Sequence, residues 1–218
     1  MALVKLAQLA ADIPEVRTLD INPLLVDGKG ILALDARVAV APSRILHKGR
    51  GHPRFSVFPY PKEWERTIEL SDGGRAFVRP VRPEDDALFR AFFARVSDED
   101  LRLRFFQSVK HFSHEFIARL TQLDYARSIA LVAIEPRSGE MLGAVRLHAD
   151  ADYHRGEYGI LIRSDLKGHG IGWRLMAIMI EYAKWLGLDV VEGQVLRENS
   201  TMLAMCQSLG FKTRLDPD

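Results

Sequence analysis

The sequence predicts an α+β protein in two parts. A small α/β piece over residues 1–45 and a linker over 46–64 precede a domain over 65–218 built around an antiparallel hairpin. Three observations predict this. Strand-length apolar runs at 128–134 and 141–148 are separated only by the turn Arg137-Ser138-Gly139-Glu140, the pattern of an antiparallel hairpin. Amphipathic runs with aromatic stripes stand between the strand runs, so helices must cover the sheet. Residues 42–63 carry Pro42, Gly49, Gly51, Pro53, Pro59 and Pro61 among basic residues, and no regular element persists through such a stretch.

Composition narrows the classes of function. Of 218 residues, 47% are hydrophobic, enough for a sizeable core. Thirty basic residues balance twenty-nine acidic ones, and a net charge of +1 creates no field that would gather nucleic acid or a membrane surface. Neither is expected as a partner. The single cysteine, Cys206, excludes an intrachain disulfide, and the seven histidines lack zinc-ligand spacing, so no metal centre is expected. No signal-peptide pattern and no apolar run near ~20 residues is present, and a cytoplasmic location is the expectation.

In chain order, Leu3, Leu6 and Leu9 at helical spacing predict a short helix to Asp12, followed by a strand over 16–21. Residues 22–35 read as two strands about the Asp27-Gly28 turn. Asn22 and Asp35 flank this hairpin on opposite strands, the disposition a magnesium site needs, although solvated turn residues are the default reading.

In the larger domain, strands are predicted at 67–70 and 75–81 around Asp72-Gly73-Gly74. Pro83 and three acids, Glu84, Asp85 and Asp86, then open a helix whose buried stripe is Leu88, Phe89, Phe92 and Phe93. Further helices follow the capping residues Ser97 and Ser113. After the central hairpin, a polar loop with Asp150, Asp152, His154 and Arg155 leads to a strand at 158–162. A long helix ends at Gly187, a strand spans 190–196, Asn199 caps a short helix, and 212–215 begins one more strand.

The stretch Arg163–Gly172 organises this half of the chain, because its three alternating glycines join a strand to a helix start. Glycines admit close approach, and the first helical turn offers unpaired N–H groups and the positive end of a macrodipole, which suits phosphate. The spacing Gly-x-Gly-x-Gly is neither the dinucleotide fingerprint nor a P-loop, since Trp173 and Arg174 follow Gly172. A phosphate cradle and a plain tight turn are equally open from the loop alone.

The loop together with Asn199 and Leu209-Gly210-Phe211 resembles the GNAT superfamily of acyl-CoA-dependent N-acetyltransferases. Lys167, Gly170 and Gly172 match that superfamily's Arg/Gln-x-x-Gly-x-Gly/Ala loop, and the similarity covers roughly two-thirds of the chain. It implies a mixed, mostly antiparallel sheet with a splayed central strand pair, helices on both faces, and acetyl-CoA as cosubstrate. N–H groups from Gly168, His169, Gly170, Ile171, Gly172 and Trp173 would hold the pyrophosphate, with Lys167 and His169 bordering it. Leu161 and Ile162 would offer backbone groups to the pantetheine, and Asn199 would bond it or support the splay.

Transfer to an amine needs a proton acceptor, because a lysine of pKa ~10.4 is mostly protonated at neutral pH. The resemblance implies Glu157 as the base, since it begins the strand before the loop, where several protein-acetylating members carry a glutamate, and partial burial there would raise its pKa; Asp150, Asp152 and Asp124 are reserves. Many members carry a tyrosine acid where this chain has Cys206. The fold's last strand would lie beyond Asp218. Residues 1–45 resemble the carboxyl-terminal end of the ATP-grasp domain of nucleotide-diphosphate-forming acyl-CoA synthetases, whose Asn-Pro and later Asp hold metal. The combination resembles bacterial protein lysine acetyltransferases of fused architecture. It implies acetylation of a protein lysine, with an acyl-CoA synthetase as a candidate acceptor; a small-amine acetyltransferase and a non-catalytic CoA sensor are the alternatives.

Overall fold

A computed structural model describes residues 2–13, 15–28, 30–42, 57–109 and 111–215, and the chain divides into two units, residues 1–59 and 60–218. In the first unit a helix (α1, Ala2–Asp12) precedes four strands: β1 (Val16–Ile21), β2 (Leu24–Asp27), β3 (Gly30–Ala33) and β4 (Ala36–Val40). The expected hairpin is β2 with β3, closed by Asp27, whose Oδ1 accepts the Gly30 N–H at 2.9 Å. The flanking pair β1 and β4 is also antiparallel, and Asn22 N–H donates to Asp35 O at 3.2 Å, so these two residues do face each other through their backbones.

The second unit starts before the expected boundary. Much of the linker expected over 46–64 lies outside the described residues, but its end does not: Lys62–Trp64 forms a 3₁₀ turn, and Trp64 is buried with its ring 5.1 Å from that of Tyr182. A proline-rich composition hid an anchoring aromatic. Then β5 (Arg66–Glu69) and β6 (Arg75–Pro80) form the first hairpin, followed by α2 (Asp86–Phe93), α3 (Asp98–Phe105) and α4 (His114–Thr121). The Ser97 and Ser113 hydroxyls accept the N–H groups of Asp100 and Phe116, which satisfies orphan donors at two helix starts. Before α2, Asp85 takes a bidentate pair of 2.7 Å bonds from buried Arg79 and a third from Arg82 N–H, fixing the helix on the sheet.

The central hairpin is β7 (Ser128–Ile134) and β8 (Met141–Ala149), followed by β9 (Arg155–Ile162), α5 (Ile171–Leu186), β10 (Val190–Glu192) and α6 (Ser200–Ser208). The sheet order is β10-β9-β8-β7-β6-β5, antiparallel except where β10 runs parallel to β9. Two cores flank it. One packs α5 and α6 against the sheet around Leu175, Met179, Tyr182 and Cys206; the other packs α2–α4 around Phe92, Phe93, Ile117 and Val132.

The strand expected over 190–196 is three residues long. Parallel pairing stops at Glu192↔Glu157, because the Tyr158 ring stands against the Gly193 backbone, where an added Cβ would lie 2.6 Å from it. From Tyr158 to Ile162 the outer edge of β9 has no strand partner among the described residues, and this is the splay. The strand expected at 212–215 does not form; Phe211 turns its ring onto Tyr158, 5.4 Å between centroids.

Candidate active site

A cleft of about 570 Å³ opens at the splay, between α3, the free edge of β9, the glycine loop and the segment leading into α6. Its glycine end is built by backbone. Gly168 and Gly170 have φ of +85° and +81°, a region costly for residues with a Cβ, and Gly170 is the N-cap of α5. The first α5 hydrogen bond beyond the cap is Arg174 N–H to Gly170 O at 3.1 Å, so the N–H groups of Ile171, Gly172 and Trp173 have no helical acceptor. Such a helix start fits a pyrophosphate. Gly172 has a helical backbone, and an added Cβ would make ordinary 3.5 Å contacts with Ile162 and Met205, which accounts physically for Gly or Ala at that place.

The charged side chains expected beside the phosphates are already engaged. Lys167 Nζ bonds Asp100 Oδ1, and Ser164 Oγ donates to Asp100 Oδ2 at 2.5 Å, tying the loop to the start of α3. Burial pushes the Asp100 carboxyl up, but bonds from Lys167, Ser164 and the Ser97 residue outweigh it and hold the group below the usual carboxylate range. His169 turns its ring to the β5–β6 turn, with Nδ1 2.8 Å from Asp72 Oδ2, and its carbonyl accepts Ser71 N–H. That contact holds the Asp72 carboxyl low. The side chain of His169 therefore braces the loop from outside the cleft. Trp173 is 43% exposed, with the Arg174 guanidinium 5.8 Å from its ring centre.

Leu161 and Ile162 pair with Ala144 and Gly143 of β8, leaving their other edge to the cleft, while their side chains enter the two opposite cores. Asn199 lines the cleft, and its Oδ1 caps α6 by accepting Met202 N–H at 3.1 Å.

Glu157 lies at the other end, beyond the splay. Its side chain is exposed, so the expected partial burial is not found; it sits in the last pair before the strands part, opposite Glu192 and His148. His148 Nδ1 is 2.6 Å from Ser128 Oγ, and a polar row thus crosses four strands on one face of the sheet. The reserves Asp150, Asp152 and Asp124 are not in the cleft wall; Asp150 and Asp124 shape turns by accepting the N–H groups of His154 and Ala126.

Two cleft groups escaped sequence reasoning. Tyr158 O–H lies 3.1 Å from Cys206 Sγ, so the strand fills with a hydroxyl the space that a longer side chain at 206 would take. Burial and the neighbouring Cys206 push this hydroxyl far up, which keeps it protonated. Arg104 of α3 lies across Gly159. Burial pushes its guanidinium below the ordinary range, Arg146 repels it further, and Glu157 draws it back. No sequence spacing signals either contact.

Known proteins resemble the chain over these same elements. Residues 75–212 match the family model described as an acetyltransferase (GNAT) domain, and residues 1–40 match that of an ATP-grasp domain. The acetyltransferase PA5475 of Pseudomonas aeruginosa is 31% identical over 151 residues, 68% of this chain and 81% of that one. Acetyltransferase Pat of Mycolicibacterium smegmatis is 25% identical over 95% of this chain and 68% of its own. The crystal structure of the GNAT domain of S. lividans PAT superposes with a TM-score of 0.69 at 27% identity, over 73% of this chain and 94% of that one. No helix among the described residues is long and apolar enough to cross a membrane. A splayed sheet with a glycine-headed helix at its edge, and a family match spanning more than half the sequence, lead to one conclusion: this chain belongs to the GNAT acetyltransferases.

Proposed function

We propose that the protein transfers acetyl from acetyl-CoA directly to the Nε-amine of a protein lysine. The observation carrying this reading is that the cleft runs from three unpaired helix N–H groups to an exposed carboxylate, Glu157, at its far end. The N–H groups of Ile171, Gly172 and Trp173, with those of Gly168, His169 and Gly170, would take the pyrophosphate. The free edge of β9, including Leu161 and Ile162, would pair with pantetheine amides, and Asn199 would hold the wall by capping α6.

In the reaction, Glu157 accepts a proton from the lysine ammonium, by itself or through water. The neutral amine forms a C–N bond at the thioester carbonyl, the attacking nitrogen gives its surplus proton to water, the C–S bond breaks, and CoA leaves as a thiolate that gains a proton from solvent. Tyr158 stays protonated and contributes at most a hydrogen bond. The exposure of Glu157 favours a long, flexible amine that reaches in from outside. Matches to relatives named Pat, and an ATP-grasp match at residues 1–40, support the fused protein-acetyltransferase reading, with residues 1–45 a remnant domain, 46–64 chiefly a tether and an acyl-CoA synthetase a candidate acceptor.

The test is a thiol-release assay with acetyl-CoA across lysine-containing proteins, peptides, polyamines and aminoglycosides. Faster turnover with protein lysines supports the proposal. Preference for a small amine contradicts the acceptor, and acetyl-CoA binding without any turnover contradicts the enzyme reading in favour of a sensor.

A further inference from the structure

Arg104 stands where the reaction would occur, and nothing in the proposed acetyl transfer uses it. The guanidinium fills the space that a side chain at Gly159 would take, with its Nη2, Cζ and Nε atoms all against that position. Gly159 is paired with Arg146 of β8, so a second arginine starts from the neighbouring strand beside the point that Arg104 covers, close enough to repel it. Arg146 has one donor engaged, Nη1 to Arg119 O at 3.2 Å. Arg104 has no hydrogen-bond acceptor and no ion-pair partner among the described residues, only the Phe105 ring 5.1 Å away. Glu157, two residues along the same strand, attracts Arg104 through space but forms no ion pair with either arginine among the described residues. A largely desolvated guanidinium beside a second one is costly unless a carboxylate or phosphate supplies the missing charge, and the planar fork of arginine matches a carboxylate bidentately.

The position within the cleft indicates which part of a substrate brings that charge. A pantetheine arm entering from the glycine loop runs along the free edge of β9 from Ile162 and must stop where β10 closes the edge, after Tyr158. The thioester then lies near Gly159, and the far end of the acyl chain faces Arg104. A methyl group gives a guanidinium nothing to bond.

We propose that Arg104, which lines the reacting end of the cleft, forms a carboxylate-receiving subsite there with Arg146 adding positive charge from behind the cleft wall, so that the enzyme takes CoA thioesters of short dicarboxylic acids as donors. This rests on the acyltransferase reading above. The chemistry is unchanged: Glu157 takes the ammonium proton, the amine attacks the thioester carbonyl and gives its surplus proton to water, the C–S bond breaks and the CoA thiolate gains a proton from solvent, and the distal carboxylate is a spectator held by Arg104.

Thiol release with one lysine peptide would compare succinyl-CoA with acetyl-CoA for the full wild-type chain, R104K, R104M and G159A. Wild type should use succinyl-CoA with kcat/KM at least equal to that for acetyl-CoA. In R104M the succinyl-to-acetyl ratio should fall at least tenfold, and R104K should recover part of it. G159A keeps the charge but places a methyl in its space, and should lower the ratio in the same direction. Thermal melts check that each variant folds, and calorimetry with the two thioesters gives the same comparison if a variant is too slow to assay.

A second arm uses acetyl-CoA with peptides carrying Glu or Gln beside the lysine. An Arg104-dependent preference for Glu, with no use of succinyl-CoA, overturns the donor assignment and moves the carboxylate to the acceptor. Ratios that do not change in either arm overturn the subsite. Acetyl transfer by wild type separates these outcomes from failure of the acyltransferase reading, which would abolish turnover with every donor.

Discussion

Gly170→Ala and Gly172→Ala are the same chemical change two residues apart, and the structure gives them opposite signs. Gly170 has φ of +81°, where an alanine costs ~1–2 kcal/mol, and its Cβ would approach Ser71 Oγ to 3.3 Å and Ser71 Cβ to 3.6 Å. Ser71 cannot retreat freely, because its N–H holds the His169 carbonyl at 3.2 Å. The expected loss is therefore ~1–2 kcal/mol or slightly more. Gly172 is already helical and its Cβ would meet only ordinary contacts at 3.5 Å, so alanine gains up to ~0.8–1.0 kcal/mol of helix propensity, less near the helix end. At ~2–4 °C per kcal/mol for a unit of this size, Gly170→Ala should lower the melting temperature by about 2–8 °C and Gly172→Ala should leave it unchanged or raise it by up to about 4 °C. Calorimetry with acetyl-CoA should also register weaker binding for Gly170→Ala, whose strain falls on the phosphate-facing turn. Melting shifts of equal sign and size for the two variants would refute the assignment of the first glycine to backbone conformation and the second to mere fit.

Three further outcomes follow from the same geometry. Asp85→Ala leaves Arg79 buried without its partner, their side chains being 10% and 8% exposed, and should cost ~3–5 kcal/mol in denaturant unfolding. The Asp100 carboxyl is held below its ordinary value, so its stabilising ties to Lys167 and Ser164 are complete above about pH 4 and are lost as the pH falls through the lower folded value. The stability gap between wild type and Asp100→Asn should accordingly be constant from pH 5 to 7 and close in acid. Tyr158→Phe removes one hydrogen bond, worth ~1 kcal/mol, and should leave the alkaline limb of the pH–rate profile where it is, because burial keeps that hydroxyl protonated. A displaced limb would make Tyr158 a proton donor.

What was legible in the sequence was local. The glycine loop, the serine caps and the Asn199 cap are each set by a few neighbouring residues, and the central hairpin by its alternating runs. The length of β10 was not legible, since Val190–Leu196 is equally apolar whether or not it has a neighbour; the ring of Tyr158 against Gly193 decides where pairing stops. For the same reason 212–215 looks extended in sequence yet joins no sheet. Trp64 was lost in a proline-rich stretch because burial under Tyr182 and Trp185 is a contact across more than a hundred residues. Arg104 is the sharpest case. On α3 it reads as one more solvated charge among Arg102 and Glu99, and only the absence of a side chain at Gly159, fifty-five residues on, gives it a place in the cleft. Glu157 was found by resemblance, but its exposure depends on the end of β10 and was misjudged.

The central claim is that Glu157 takes the proton of an amine arriving at a CoA thioester bound along β9. Glu157→Gln, assayed by thiol release with acetyl-CoA and a lysine peptide at neutral pH, tests it most directly, with acetyl-CoA affinity measured in parallel by calorimetry. The account predicts a fall in kcat/KM of ~10²–10⁴-fold with acetyl-CoA affinity within about threefold of wild type. Full turnover in Glu157→Gln would contradict it.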